Sequence, residues 1–176
     1  MLDSTYLLGA ERRTTPVQPL PPAGQVDHPS RPVRRALVRL VQDELATLPG
    51  ALVGQGGRHP VIVRVVEAAI ADLDRYARQG RLPRRPDLYG FRAYGALAGA
   101  AGMDQDALVA WITTATEAVE RLWCAGADTL VGEFTVDAVD RALACLCAIA
   151  TMWSRKVQGQ LQAGLTLAAT AWPSAA

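Results

Sequence analysis

Residues 104–123 read DQDALVAWITTATEAVERLW, and their spacing decides the fold class. Leu108, Trp111, Ile112, Ala115, Ala118, Val119, Leu122 and Trp123 recur every three or four positions, which puts them on one face of a helix. Asp104 is a fitting N-cap, since its carboxylate can accept a hydrogen bond from an exposed backbone N–H. Glu117 and Arg121 sit four apart on the polar face and predict a solvated i,i+4 pair. Asp137 and Arg141 repeat the relation further on.

Working outward from this stretch, the same periodicity returns. Gly126 to Gly132 predicts a break, and Thr135 can cap a last helix. Val136, Val139, Leu143, Leu146, Ala150, Trp153, Val157 and Leu161 carry its stripe. From Ala142 to Ser154 no residue is charged, so this helix is expected to be buried by several neighbours or by a second subunit. Toward the N-terminus, Leu88, Phe91, Tyr94 (or Gly95) and Leu97 predict the stripe of a helix running to Gly102, in which Gly90, Gly95 and Gly99 can allow close helix approach. Pro60 opens a helix whose stripe runs from Val61 to Ala77, with Gly80 as its stop. Pro83 and Pro86 bracket a turn. A first helix begins near Ser30–Pro32, carries Val33, Leu37, Val41, Leu45 and Leu48, and is expected to end at Pro49–Gly50. The reading is all-α: about five helices, globin-like or bundled, over residues 33–162. Residues 1–32 hold six of the 11 prolines and read as an extended or disordered tail; residues 163–176 read as a small-residue C-terminal tail.

Composition narrows function mainly by exclusion. The 176 residues are 50% hydrophobic and 20% charged, with a formal net charge of +1, so bulk charge favours neither a nucleic-acid nor a membrane partner. Arg outnumbers Lys by 17 to 1, which fits translation from a GC-rich genome. No run reaches the roughly 18 apolar residues of a membrane span, and no basic-then-apolar leader opens the chain. The expected compartment is the cytoplasm, with reduced thiols.

No motif carries catalytic, metal or cofactor chemistry. Gly54-Gln-Gly-Gly57 lacks the Lys-Ser/Thr of a phosphate loop and reads as an inter-helix turn. His28 and His59 cannot build a zinc site, and neither is placed as a proximal haem ligand. Cys124, Cys145 and Cys147 lie in apolar helical surroundings and read as small hydrophobes of the core. Arg31, Arg34, Arg35 and Arg39, and separately Arg78, Arg81, Arg84, Arg85 and Arg92, form basic clusters that read as solvated or partner-binding faces. Tyr94, Trp111, Trp123 and Trp153 are the candidate lining of an apolar ligand pocket. Tyr76, Tyr89, Tyr94, Asp104 and Glu117 are what an enzyme would have to use, without a visible constellation.

Residues 91–123, FRAYGALAGAAGMDQDALVAWITTATEAVERLW, add a resemblance. They are similar to the N-terminal sensory domain of PucR-type actinobacterial regulators, related to the RsbR N-terminal domain. Gly102–Met103 and Leu108 match that family's turn, Trp123 its helix end, and Val136–Leu161 its closing helix. The resemblance covers about residues 33–162. It implies a haem-free, globin-like fold, often dimeric, serving sensing or signalling. Such regulators usually continue into a DNA-binding helix-turn-helix, which these residues do not include, so direct DNA binding is not expected. The function expected is thus a non-catalytic regulatory module binding a small apolar ligand or a partner protein as a homodimer. The alternatives are the effector half of a TetR-type regulator and a small all-helical biosynthetic enzyme.

Overall fold

The computed structural model describes residues 30–54, 59–82 and 89–171, with the side chain of Tyr89 left aside. These residues form six helices: α1 (Ser30–Leu40), α2 (Gln42–Gly54), α3 (Pro60–Gln79), α4 (Tyr89–Ala100), α5 (Gln105–Leu130) and α6 (Val136–Ala171). Among the described residues there is no strand, and no helix is long and apolar enough to cross a membrane. The expectations for residues 1–29, for Gln55–Arg58, for the Pro83–Pro86 turn and for Trp172–Ala176 lie outside the described residues.

The 36 residues of α6 make a rod about 54 Å long, at about 1.5 Å per residue. It packs against α1, α3, α4 and α5. Val139, Ala142, Leu146, Ile149, Ala150, Trp153, Val157 and Leu161 are buried along it, so the uncharged stretch is central, as its composition requires. The helix does not stop near Leu161. It runs to Ala171 and buries Gly164, Leu165 and Ala168, so residues 163–171 belong to the helix.

The continuation is explained by α4. A Cβ on Gly164 would collide with the backbone carbonyl of Arg92 and lie 2.8 Å from the N of Ala96. A Cβ on Gly95 would lie 2.9 Å from the carbonyl carbon of Leu161, and one on Gly99 2.8 Å from Cβ of Ala168. The two helices therefore rest backbone on backbone, which only residues without side chains permit.

Helix ends follow the sequence where a cap is present. Gly80 stops α3 in the left-handed conformation (φ 72°), and its N–H donates to the carbonyls of Tyr76 and Ala77. Gly102 (φ 71°) closes α4: its N–H donates to the Gly99 carbonyl and that of Met103 to the Ala98 carbonyl. Asp104 then caps α5, accepting from the Asp106 N–H at 2.9 Å. Thr135 Oγ1 accepts from the Ala138 N–H at 3.4 Å ahead of α6.

Three breaks fall elsewhere than expected. The first helix divides at Val41, whose N–H reaches the Leu37 carbonyl only at 3.4 Å, with no Gly or Pro between Val33 and Leu48 to signal it. Pro49 lies inside α2 and does not end it. The lost backbone bond costs about 3 kcal/mol, while burial of Leu52 beyond it returns roughly 1.5–3 kcal/mol. Gly126 likewise sits inside α5, where a Cβ would come within 2.9 Å of Leu37 Cδ1 and 3.1 Å of Val41 Cγ1. It is a contact glycine, and the turn comes only at Val131–Thr135.

The two kinds of helical glycine predict opposite responses. Gly159 has nothing within 4 Å of a built Cβ, so Gly159→Ala is expected to stabilise by about 0.5–1 kcal/mol. Gly164→Ala gains the same propensity but must push the α4 and α6 backbones apart, and a net loss of about 1–3 kcal/mol is expected. Urea unfolding of both variants checks this; equal shifts would remove the close-packing account.

Candidate functional site

The four aromatic candidates do not share one site. Trp111 and Trp123 are twelve residues apart on α5, about 18 Å along its axis. Trp111 is half-buried against the core. Trp123 is fully buried, and its Nε1 has no hydrogen-bond partner among the described residues. Tyr94 and Trp153 are brought together through Phe91. Its ring meets Trp153 edge-on at 5.9 Å and Tyr94 edge-on at 6.1 Å, the arrangement that ring quadrupoles favour.

Trp153 is also bonded. Its Nε1 donates to Oδ2 of Asp72 at 2.7 Å, a charge-assisted bond from α6 to α3. The other Asp72 oxygen pairs with Arg75, whose guanidinium lies 4.9 Å over the Tyr76 ring. Sequence periodicity placed Trp153 on a buried stripe but left Asp72 unmarked. The signal available was an acid on the same turn as the buried Leu73.

Arg34 departs from the solvated cluster in which its sequence neighbours place it. It is 2% exposed, and its guanidinium lies against Gly80 at the C-terminal end of α3. Nε and Nη1 have no partner among the described residues. The negative end of the helix dipole offsets part of the cost of a buried cation there. Arg31, Arg35 and Arg39 remain exposed on α1.

Three of the five residues named as material for an enzyme have structural surroundings of their own. Asp104 caps α5; Glu117 pairs with Arg121 at 4.0 Å, both well exposed; Tyr76 is buried. The Asp137–Arg141 pair also forms, as the spacing predicts. His59 caps α3, its Nδ1 accepting from the Val61 N–H at 3.3 Å. No group of three His, Cys, Asp or Glu among the described residues is placed to hold a metal ion. Cys124 is exposed, against the expectation of a core position; Cys147 is half-buried, and Cys145 is half-buried and packs against the core. The chain matches no protein-family model, no curated protein and no solved structure.

Two titrating groups stand out. Burial raises the Cys147 thiol above its ordinary range, with Glu120 and Cys124 adding to the effect. Burial, then Glu117, raises the Glu120 carboxyl. The folded chain thus holds the Glu120 proton more tightly than the unfolded chain. Stability falls as pH rises from the ordinary carboxylate range through the raised value. Glu120→Gln removes that cost: the variant is expected to be more stable than the parent at pH 7 and equal to it near pH 3, about one unit below the ordinary carboxylate range. Denaturation at the two pH values checks the sign.

Asp72→Ala leaves a buried indole N–H unpaired, and a loss of about 1–3 kcal/mol is expected. Asp72→Asn keeps an acceptor oxygen and loses less. Equal losses would assign the effect to the Arg75 ion pair instead of the Trp153 bond; guanidinium titration of both variants distinguishes them.

Proposed function

We propose that this chain is a non-catalytic regulatory module that works by docking, as a homodimer joined along the outer face of α4. One observation carries the reading. The solvent side of α4 presents Gly90, Ala93, Leu97 and Ala100, all exposed and none charged, with Leu97 57% exposed. A helix that is apolar on both its core face and its outer face is ordinarily covered on both. An uncharged patch also meets its own copy across a two-fold axis without like-charge repulsion.

The similarity of residues 91–123 to RsbR N-terminal-type sensory domains points the same way. A role without covalent chemistry is supported by the engagement of Asp104, Glu117 and His59 in capping and surface pairing. A small apolar ligand between α4 and α6 is disfavoured, because the backbones touch at Gly95 and Gly164. This contact weighs against the TetR-like pocket and in favour of a protein partner. The free thiols suit a reducing cytoplasm, and the Arg-rich, Lys-poor composition an actinobacterial origin.

Sedimentation equilibrium of the full chain tests the proposal. A dimer is expected. Leu97→Glu places two carboxylates in the seam and is expected to weaken it by roughly a hundredfold or more. Val136→Glu, at another exposed apolar position, leaves it unchanged. A monomer at every concentration overturns the dimer; a dimer indifferent to Leu97→Glu overturns the α4 seam.

A further inference from the structure

We infer that Cys124 and Cys147 form a dithiol modification site across the α5–α6 hairpin, which a small disulfide oxidant such as glutathione disulfide closes to a cystine. The two helices are consecutive and joined by the short turn at Val131–Thr135. The two helices pack together, and a side-chain bond marks which levels meet: Gln158 Nε2 donates to Thr113 Oγ1 at 3.0 Å. In an antiparallel pair, a step forward on one helix matches a step back on the other. Eleven residues forward from Thr113 is Cys124 (124 − 113), and eleven back from Gln158 is Cys147 (158 − 147). Eleven residues are close to three full turns at about 3.6 residues per turn, so both cysteines return to the flank that Thr113 and Gln158 share.

Packed helices lie about 8–10 Å apart and carry Cα atoms at about 2.3 Å radius. Facing Cα atoms are then roughly 3.5–5.5 Å apart, and somewhat farther on a flank, which overlaps the disulfide range of about 4.4–6.8 Å. Cys145 is excluded from the pair. It is two residues from Cys147 and therefore points to another side, where its thiol lies 3.9 Å from the Gly80 carbonyl oxygen.

Exposure assigns the order of events. Cys124 is the exposed thiol and meets the oxidant first. Its thiolate attacks one sulfur of glutathione disulfide, a protein–glutathione S–S bond forms, and one glutathione thiolate leaves. The Cys147 thiolate then attacks Sγ of Cys124, the cystine forms, and the second glutathione thiolate leaves. The protein loses two electrons and two protons, and the oxidant becomes two glutathione thiols. Cys147 is the half-buried partner, and its raised thiol makes it the poorer first nucleophile, so it follows Cys124, whose bound sulfur is then held beside it.

The test uses the reduced full chain, equilibrated with glutathione and glutathione disulfide, quenched in acid, alkylated, digested and mapped by mass spectrometry. The expected product is a peptide pair linked through Cys124 and Cys147, with Cys145 alkylated and the mixed disulfide below roughly a tenth of the linked species. Cys147→Ser is expected to stop with one glutathione on Cys124. The oxidised wild-type chain is expected to melt at higher temperature than the reduced one. Glutathione persisting on wild-type Cys124, a link through Cys145, or wholly unmodified thiols would each overturn the site. Should Cys147→Ser fail to fold, the wild-type map decides alone.

Discussion

The contact of α4 with α6 is the constraint on which the rest of the arrangement depends. Two backbones meet at Gly95 and Gly164, with Gly99 against Ala168 one turn further on. Helix propensity argues against glycine at all three positions, at about 1 kcal/mol each relative to alanine. The arrangement persists because no side chain has to be accommodated between the axes. That contact fixes where α4 lies, and so where Phe91 meets Trp153 and where the outer face of α4 points. It also explains why α6 is so long. The segment after Leu161 supplies Gly164, Leu165 and Ala168, the surface on which α4 rests.

Polar side chains in this fold mostly tie helices to one another or finish their ends. Asp72 joins α3 to α6 through the Trp153 indole, and Gln158 joins α6 to α5 through Thr113. Asp104, His59 and Thr135 complete helix N-termini. Such bonds stabilise by orienting rods that apolar packing alone would leave free to slide. A carboxylate with two donors on its oxygens, as Asp72 has, is poorly placed to move a proton to a substrate. The exposed glutamate and aspartate pairs of α5 and α6 lie on solvated surface, where charge is weakly felt.

What the sequence disclosed, and what it hid, follows from how local each cause is. Pro60, Gly80, Asp104 and Thr135 act within one turn of themselves, and the structure has the helix ends they imply. The continuous α5 hides a different kind of cause. Gly126 reads as a stop in isolation; it is a contact residue because Leu37 and Val41, nearly ninety positions earlier, press against it. Pro49 is tolerated because Leu52 has a buried place to go. Residues 163–171 look like a tail because they are small, yet their smallness is what a glycine-rich partner helix requires. Each glycine-rich segment is ambiguous alone, and the pair is not. The aromatic candidates show the same limit: periodicity points to the buried Trp123 and Trp153 and the half-buried Trp111, but which rings meet depends on helix crossings that no stripe encodes. Cys124 is exposed among apolar sequence neighbours because helix packing, not local composition, sets the direction of its side chain, whereas Cys145 does pack against the core.

The outer face of α4 invites a compositional explanation, since a chain this rich in alanine and glycine will place them everywhere. The other helices argue against it. On α5 the exposed positions include Asp106, Glu117, Arg121 and Asp128; on α6 they include Asp137, Asp140, Arg141, Arg155 and Lys156. The same composition therefore charges the solvent side of α5 and part of that of α6, where Ala144, Ala148, Met152 and Leu167 are also exposed, while none of the exposed positions described on α4 is charged. Close packing accounts for Gly95 and Gly99 on the inner side, but it places no demand on Ala93, Leu97 or Ala100, which point the opposite way. An exposed leucine costs little by itself and single ones are common. A whole helix face without charge, on an element held rigidly by its backbone, is what a surface built to be covered requires. The cost of leaving it open falls on solubility, and a second copy of the same face removes that cost.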